Sequence, residues 1–310
     1  MLSQMETTRR AWGVKQRLEF IESRAFWEGG INRADLSDKF GVSTPQASND
    51  LAQYRAIAPD NLNYDASAKR YVASANFVPK FGTPNADRYL SQLKALAEGV
   101  IDLDDTFIGS PPVAVAMPVP NRRVDPNMLR HILAAVRGGL SVEFRYQSMN
   151  AARPVPQWRR VTPHAFGSDG LRWHIRGYCH IDHHFKDFIL SRVSGVRAIG
   201  PAGPSAREDE DWSAMFDAVL EPNPGLSEGQ RAAVAWEYAM PAGQVTLPVR
   251  RAFLYYLRRR LRLDVENDLP AETPVVVANR FEFDVALKSA KGLVAERVNP
   301  PAGQGVSLTC

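Results

Sequence analysis

The stretch that decides the fold is Trp158 to Val193, WRRVTPHAFGSDGLRWHIRGYCHIDHHFKDFILSRV. It reads as three short strands joined by turns, and its middle strand alternates in character. From Arg172 to His180, Trp173, Ile175, Gly177 and Cys179 fall on one side, and His174, Arg176, Tyr178 and His180 on the other. One side is built to pack. The other carries imidazoles, a guanidinium and a phenol, groups that suit the capture of an anionic or aromatic ligand. No nucleophile–base motif accompanies them, so the stretch reads as a sensing surface rather than an active site.

Upstream, Ser141 to Tyr146 alternates like a half-buried strand, with Val142, Phe144 and Tyr146 inward. Short strands at such close spacing predict a small antiparallel barrel or curved sheet. A helix precedes it, starting after Pro126, apolar at Met128, Leu129, Ile132, Leu133 and Val136, and stopping at Gly138-Gly139. Downstream, Arg207 to Asp211 reads as a charged linker. A separate α/β unit follows: a helix from Ser227 to Trp236, a strand near Gln244 to Leu247, a helix from Val249 to Leu261, a strand at Val275 to Ala278 and a helix after Asp284.

The N-terminal segment follows another rule. Trp12, Val14, Leu18, Ile21, Ala25 and Phe26 lie at helical spacing between Ala11 and Gly29. A second helix is expected from Arg33 to Phe40, with Asn32 as N-cap and Asp35 three residues on. Gly41 breaks it. Ser43 then caps a third helix, with Pro45 in its first turn and Gln46 completing a capping box. Helix, short glycine-containing turn, helix is the spacing of a helix-turn-helix. The third helix carries Ser43, Thr44, Gln46, Ser48, Asn49, Gln53 and Arg55, side chains able to bond base edges or phosphates. Leu62–Asp65 and Lys69–Val72 read as two strands around Ala66-Ser67-Ala68, a wing with Lys69 and Arg70 at its tip. A mere packing module also has a polar outer helix; the capped turn, the Asn/Gln-rich helix and the basic hairpin together favour DNA binding. Glu19, Glu22, Glu28, Asp35, Asp38 and Asp50 offset the basic residues, so one copy is expected to bind weakly and two copies to read two half-sites. Asp87 to Val100 reads as a further helix, and Pro111, Pro112, Pro118 and Pro120 mark a linker.

At 310 residues the chain is long enough for two or three domains. A formal charge of +4 permits a nucleic-acid partner without demanding one. Cys179 and Cys310 make no disulfide framework, which fits a reduced compartment. The start, MLSQMETTRR, has no apolar run of a signal peptide, and no stretch has the length of a membrane span. A soluble, cytoplasmic protein without membrane partner or cofactor is expected. Cys179-His180-Ile181-Asp182-His183-His184 invites a zinc reading, but consecutive residues crossing a turn cannot easily offer four tetrahedral ligands. GxSxG, Walker A and HExxH patterns are missing, which argues against an enzyme. Arg258, Arg259, Arg260 and Arg262 read as the solvated or dimer-facing flank of a helix with Phe253, Leu254, Leu257 and Leu261 buried; a second DNA contact is the other reading.

These features resemble the bacterial WYL-domain transcriptional regulators. Arg160-Val161 leading into Pro163-His164, Trp173-His174-Ile175 at the namesake tripeptide, Gly177-Tyr178-Cys179, and Phe185-Lys186-Asp187-Phe188 with Ser191-Arg192-Val193 fall in family order. Asn223-Pro224, Gln230, Glu237-Tyr238, Val249-Arg250-Arg251-Ala252 and Tyr256 resemble the BrxR/CapW-like subgroup, which represses phage-defence operons of BREX and CBASS type. The resemblance implies an α+β multidomain chain: a winged helix-turn-helix over 1–80, a helical and Pro-rich linker over 81–124, an Sm-like small β-barrel (the WYL domain) over 125–206, and a C-terminal α/β extension, WCX, for dimerisation over 207–310. It implies a homodimeric repressor on an inverted-repeat DNA operator, gated by a nucleotide or nucleic-acid fragment at the WYL domain. An activator of the same family and a non-regulatory nucleic-acid-binding accessory module are the alternatives. Tyr146, Ser148, Arg160, His164, His174, Tyr178, Lys186 and Arg192 are the expected ligand residues. The opposing reading pairs Arg160 and Arg192 with Glu143 or Asp187 and puts Tyr178 in the core. Two departures stand out: His174 replaces the tyrosine of Trp-Tyr-Leu, and Lys186 stands where the family often has arginine, a point charge for a planar fork.

Overall fold

The computed structural model describes residues 2–120, 122–263 and 270–295. Cys310 lies outside them. The chain divides into two compact units, 1–120 and 121–310.

In the first unit, α1 (Leu2–Glu28) begins well before the expected start and leads into a two-residue strand, β1 (Gly30–Ile31). Helix α2 (Arg33–Phe40) has the expected capping box: Asn32 Oδ1 accepts from the Asp35 amide, and Asp35 accepts from the Asn32 amide. Gly41 ends it in the left-handed region, φ 64°, where a β-carbon would be strained. Helix α3 (Thr44–Ile57) starts at the Ser43 cap, but Gln46 does not close a box. Its amide side chain runs down the helix to Asp50 instead, 3.0 Å away, because Asp50 already anchors the Arg17 guanidinium there. Strands β2 (Leu62–Asp65) and β3 (Arg70–Ala73) form the wing, and β1 pairs with the outer side of β3. That third strand escaped the sequence reading because two residues show no periodicity. Leu18, Ile21, Ala25, Ile31, Leu36, Ala47, Leu51, Tyr54 and Leu62 make one core, and α4 (Ala86–Ala97) follows.

The second unit opens with α5 (Pro126–Gly138), capped by Asp125 and ended by left-handed Gly139. Then come β4 (Ser141–Tyr146), β5 (Gln157–Ser168), β6 (Trp173–Cys179), β7 (His184–Ile189) and β8 (Val193–Gly200). They form one antiparallel sheet in the order β7-β6-β5-β4-β8. Its ends, β7 and β8, are not paired to each other, so the predicted barrel is an unclosed sheet in this structure. Met128, Ile132 and Ala135 of α5 pack on Val142, Phe144, Tyr146, Ile175 and Cys179, the inward side of β4 and β6 read from alternation, and on Val161 and Phe188 of β5 and β7. Trp173 shares that side yet is 57% exposed, because its pair with Ser168 is the last rung of the β5–β6 ladder. Gly177 is required where it stands: a β-carbon there would come within 2.6 Å of the Thr162 carbonyl.

The rest of this unit holds α6 (Glu210–Ser213), β9 (Met215–Pro222), α7 (Glu228–Glu237), β10 (Val245–Arg250), α8 (Leu254–Arg260), β11 (Val275–Val277) and α9 (Arg280–Ala295). Its sheet is ordered β10-β9-β11. The central strand, β9, has no counterpart in the sequence reading. Strand β10 continues to Arg250, which delays the next helix to Leu254, and α9 starts at Arg280 rather than after Asp284. Ala218, Leu220, Val234, Leu254, Val275, Val277, Phe283 and Leu287 form its core.

Candidate functional site

Two surfaces bear on function, one in each unit. In the first, α3 buries Ala47, Asp50, Leu51 and Tyr54 and turns Asn49, Ala52, Gln53 and Ala56 to solvent. Asn49 and Gln53 are one turn apart, so their amides sit on one exposed stripe. Ser43 and Thr44 are exposed at its start. Two other candidates are occupied within the helix: Ser48 donates to the Thr44 carbonyl at 2.9 Å, and Gln46 holds Asp50. Arg55 lies 5.4 Å from the centre of the Tyr71 ring, tying the exposed end of α3 to the wing. Lys69 is exposed at the hairpin tip in the left-handed region, φ 51°. Arg70 points elsewhere. Its Nε is buried without a hydrogen-bond partner among the described residues, and its guanidinium lies over Gly30.

Of the six acidic residues set against the basic ones in sequence, Glu22, Glu28, Asp35 and Asp50 are spent on internal partners, while Asp38 is exposed. Arg17 holds Asp50, and Arg24 holds Glu28 and Asp35. Glu22 accepts from the amides of Lys80, Phe81 and Gly82 and from the Tyr54 hydroxyl. Burial and Glu22 raise the Tyr54 phenol above its ordinary range. The α3 stripe and wing tip are therefore less acidic than composition suggests.

In the second unit, the polar side of β6 is not open. His174, Arg176 and Tyr178 stand opposite Ile189, Asp187 and Phe185 of β7, and residues directly opposed share a face. The segment after β8 covers that face. Arg176 makes a two-pronged bond to Asp209 at 2.7 and 2.8 Å and reaches Asp187 at 3.3 Å. His164 meets Asp209 at 3.0 Å, and the Tyr256 hydroxyl donates to Asp187 at 3.2 Å. His174 is 1% exposed, 3.0 Å from Asp169 and 4.5 Å from the Tyr256 ring centre. Arg172 and the amides of Leu171 and Arg172 also converge on Asp169. Asp209, read from sequence as part of a charged linker, is 1% exposed.

The electrostatics follow from this packing. Burial works to raise Asp209, but the bonds from Arg176 and His164 prevail and bring it down to about 2. Asp169 is likewise held well below the usual carboxylate range, against burial, by His174 and the surrounding donors. Burial would discharge Arg176, and its two carboxylates keep it charged above its ordinary value. Asp187 shares Arg176 with a stronger partner, so burial pushes its carboxyl up. Tyr256, buried beside Asp187, is also raised.

The eight expected ligand residues do not gather in one place. His164, His174 and Tyr178 lie toward the C-terminal segment, where Tyr178 packs against the His180 and Phe185 rings. Tyr146 is in the core, its hydroxyl accepting from the Ile189 amide. Arg160 bonds Ser141 Oγ and the Pro201 carbonyl; Glu143 takes Arg197 and Asp187 takes Arg176, so neither carboxylate pairs with Arg160. Ser148 Oγ accepts from the Asn150 amide, and the Arg192 carbonyl accepts from the Gln147 amide. Lys186 alternates away from Asp187 to the opposite side of β7 and binds Asp182 at 2.8 Å.

That opposite side holds residues the sequence reading missed. Asp182 accepts from Arg153 at 2.6 and 3.1 Å, from Arg159 at 2.9 Å, from Lys186, and from the Cys179 thiol at 3.4 Å. Burial alone would raise Asp182, but Arg153 and Lys186 outweigh it and hold the carboxyl far below its usual range. Arg159 was legible in principle. Val161 points inward, and two residues earlier on a strand shares that side; the register confirms it by pairing Arg159 with buried Phe144.

Comparison with known proteins places these surfaces in a family. The BrxR transcriptional regulator winged helix-turn-helix domain matches residues 13–95, the WYL domain matches 127–198, and the BrxR C-terminal dimerization domain matches 215–283. The DNA-binding transcriptional repressor CapW of Stenotrophomonas maltophilia is 39% identical over 274 residues, 87% of this chain and 91% of the relative. Its counterpart in Escherichia coli (strain KTE188) is 37% identical over 279 residues, 89% and 93%. That of Pseudomonas aeruginosa is 37% identical over 274 residues, 88% and 91%. With three domains in family order and this identity along most of its length, the chain belongs to the BrxR/CapW family of WYL-domain transcriptional regulators.

Proposed function

We propose that this protein is a cytoplasmic, homodimeric transcriptional repressor that binds an inverted-repeat operator of a phage-defence operon and is gated by a nucleotide or nucleic-acid ligand at its WYL domain. The observation that carries the reading is the exposed Asn49–Gln53 stripe of α3 together with the exposed Lys69 at the wing tip, in a chain whose curated relatives are DNA-binding transcriptional repressors. Amide side chains pair bidentately with adenine in the major groove, and a lysine at a wing tip neutralises phosphate. A winged helix over 1–80, a linker over 81–124, a sensing domain over 125–206 and a dimerisation domain over 207–310 divide the labour. Dimerisation through the last would set two α3 helices on half-sites about one helical turn, or a multiple of it, apart. No helix among the described residues is long and apolar enough to cross a membrane, which accords with a DNA-binding role.

A mobility-shift titration tests this. The full chain should prefer an inverted repeat near its own promoter over random duplex, with log affinity falling linearly against log salt. Equal affinity for both duplexes would overturn the reading.

A further inference from the structure

The cluster around Asp182 is out of charge balance. Three cations, Arg153, Arg159 and Lys186, meet one carboxylate. Arg159 is 1% exposed, and its Nε is buried with no hydrogen-bond partner among the described residues. The other bonds of Arg159 go to neutral acceptors, Gln157 Oε1 at 3.2 Å and the Cys179 sulfur at 3.6 Å. A buried guanidinium recovers its desolvation cost only when its charge and each N–H are matched, and a carboxylate shared among three cations leaves both the charge and Nε short. Arg153 and Lys186 keep 32% and 26% of their side-chain surface exposed, so the cluster opens to solvent on their side while Arg159 forms its floor. Arg153 comes from the irregular segment between β4 and β5, not from a strand.

We propose that Arg153, Arg159 and Lys186 form an anion site for a phosphomonoester group or free phosphate, which Asp182 fills as a built-in carboxylate until such an anion displaces it. A phosphomonoester carries about −1.5 to −2 charges at pH 7 and three acceptor oxygens. Taking the place of Asp182, it sets up to about one more negative charge against the three cations than the carboxylate does and supplies an acceptor for Arg159 Nε, and the two guanidinium forks suit its geometry. A carboxylate ligand would only replace like with like. The site lies on the other side of the sheet from His174 and Tyr178. Its displacement is felt across β7, because Lys186 enters the cluster while its neighbour Asp187 enters the Arg176–Tyr256 network beneath the C-terminal segment. The inference rests on the WYL domain being the ligand-gated part of the chain and names the chemistry it takes.

Calorimetric titration of the full chain with inorganic phosphate, a nucleoside 5′-monophosphate and the unphosphorylated nucleoside tests it. Asp182→Asn should tighten both phosphates by about tenfold relative to wild type, and Arg153→Ala and Lys186→Met should weaken them about tenfold. The nucleoside alone should give no binding heat. Tighter binding of the monophosphate than of phosphate marks a nucleotide as the source; equal binding marks phosphate itself. A folded Asp182→Asn that binds no tighter than wild type overturns the proposal. Where Asp182→Asn does not fold, the rise in melting temperature of wild type in phosphate decides: it must vanish in Arg153→Ala, and its survival there overturns the site. The operator titration without phosphate is scored separately. Loss of operator preference sinks the repressor reading alone, and absence of phosphate binding with operator preference intact sinks the anion site alone.

Discussion

The outer stripe of α3 and the polar side of β6 are built from similar residues and have opposite fates. On α3, Asn49 and Gln53 face solvent. On β6, His174 and Arg176 are 1% and 6% exposed and committed to Asp169, Asp187 and Asp209. A polar stripe marks a recognition surface only while its donors and acceptors remain unspent. Once a neighbouring segment supplies counter-charges, the same chemistry becomes the joint between two domains. In this chain the joint links the WYL sheet to the C-terminal dimerization domain, and the net-positive cluster lies on the sheet's other side.

If β6 is a joint, breaking it must cost stability. Arg176→Met leaves Asp209 and Asp187 buried without their cation and should lower the unfolding free energy by about 3 to 5 kcal/mol. Urea unfolding measures this; a loss under 1 kcal/mol would mean that the network is solvated and the face open. Acid offers a gentler probe of the same joint. The folded value of Asp209, about 2, lies below its ordinary 3.8. Its contribution is therefore fully present above about pH 4 and is lost as pH falls toward 2. It amounts to about 2 kcal/mol. Asp209→Asn should be less stable at neutral pH and flatter in urea midpoint between pH 4 and 2. A mutant curve parallel to wild type would assign the acid sensitivity elsewhere.

The α3 side of the comparison makes a different kind of prediction. Asn49→Ala should cost about 1 to 3 kcal/mol of operator affinity, concentrated at one base position. A uniform loss over all duplexes would make Asn49 a phosphate contact, and no loss would remove it from the interface. The smallest effect belongs to the scaffold that presents α3. Asn32→Ala removes the N-cap of α2 and should lower stability by about 1 kcal/mol in thermal unfolding, with Asp35→Ala costing more because it also takes a carboxylate from Arg24.

Much of the first unit was legible in sequence because its signals are local. Asn32 with Asp35, Gly41, and Ser43 with Pro45 each act within four residues, and helix boundaries follow from them. Gln46 shows the limit of that reasoning. The local rule asked it to bond back to the cap, and Asp50, held by Arg17 from another helix, drew it forward. In the second unit, alternation correctly separated Ile175 and Cys179 from His174 and Arg176, but could not say what lay over the second set. Nor did it notice that inward Val161 places Arg159 inward too.

The sequence by itself determined the caps of α2 and α3, the turn glycines, the inward stripes of β4 and β6 and the family, since each depends on residue order within a few positions or on motifs in series. Tertiary structure decided which polar groups are spent. Asp209 reaches Arg176 across 33 residues, and Asp187 reaches Tyr256 across 69. No periodicity encodes such a meeting, because it is set by how the C-terminal segment packs on the sheet. The same holds for β9, which is central to its sheet only because β10 and β11 arrive from both sides. Local order specifies the elements, and the free energy of burying charges decides where they join.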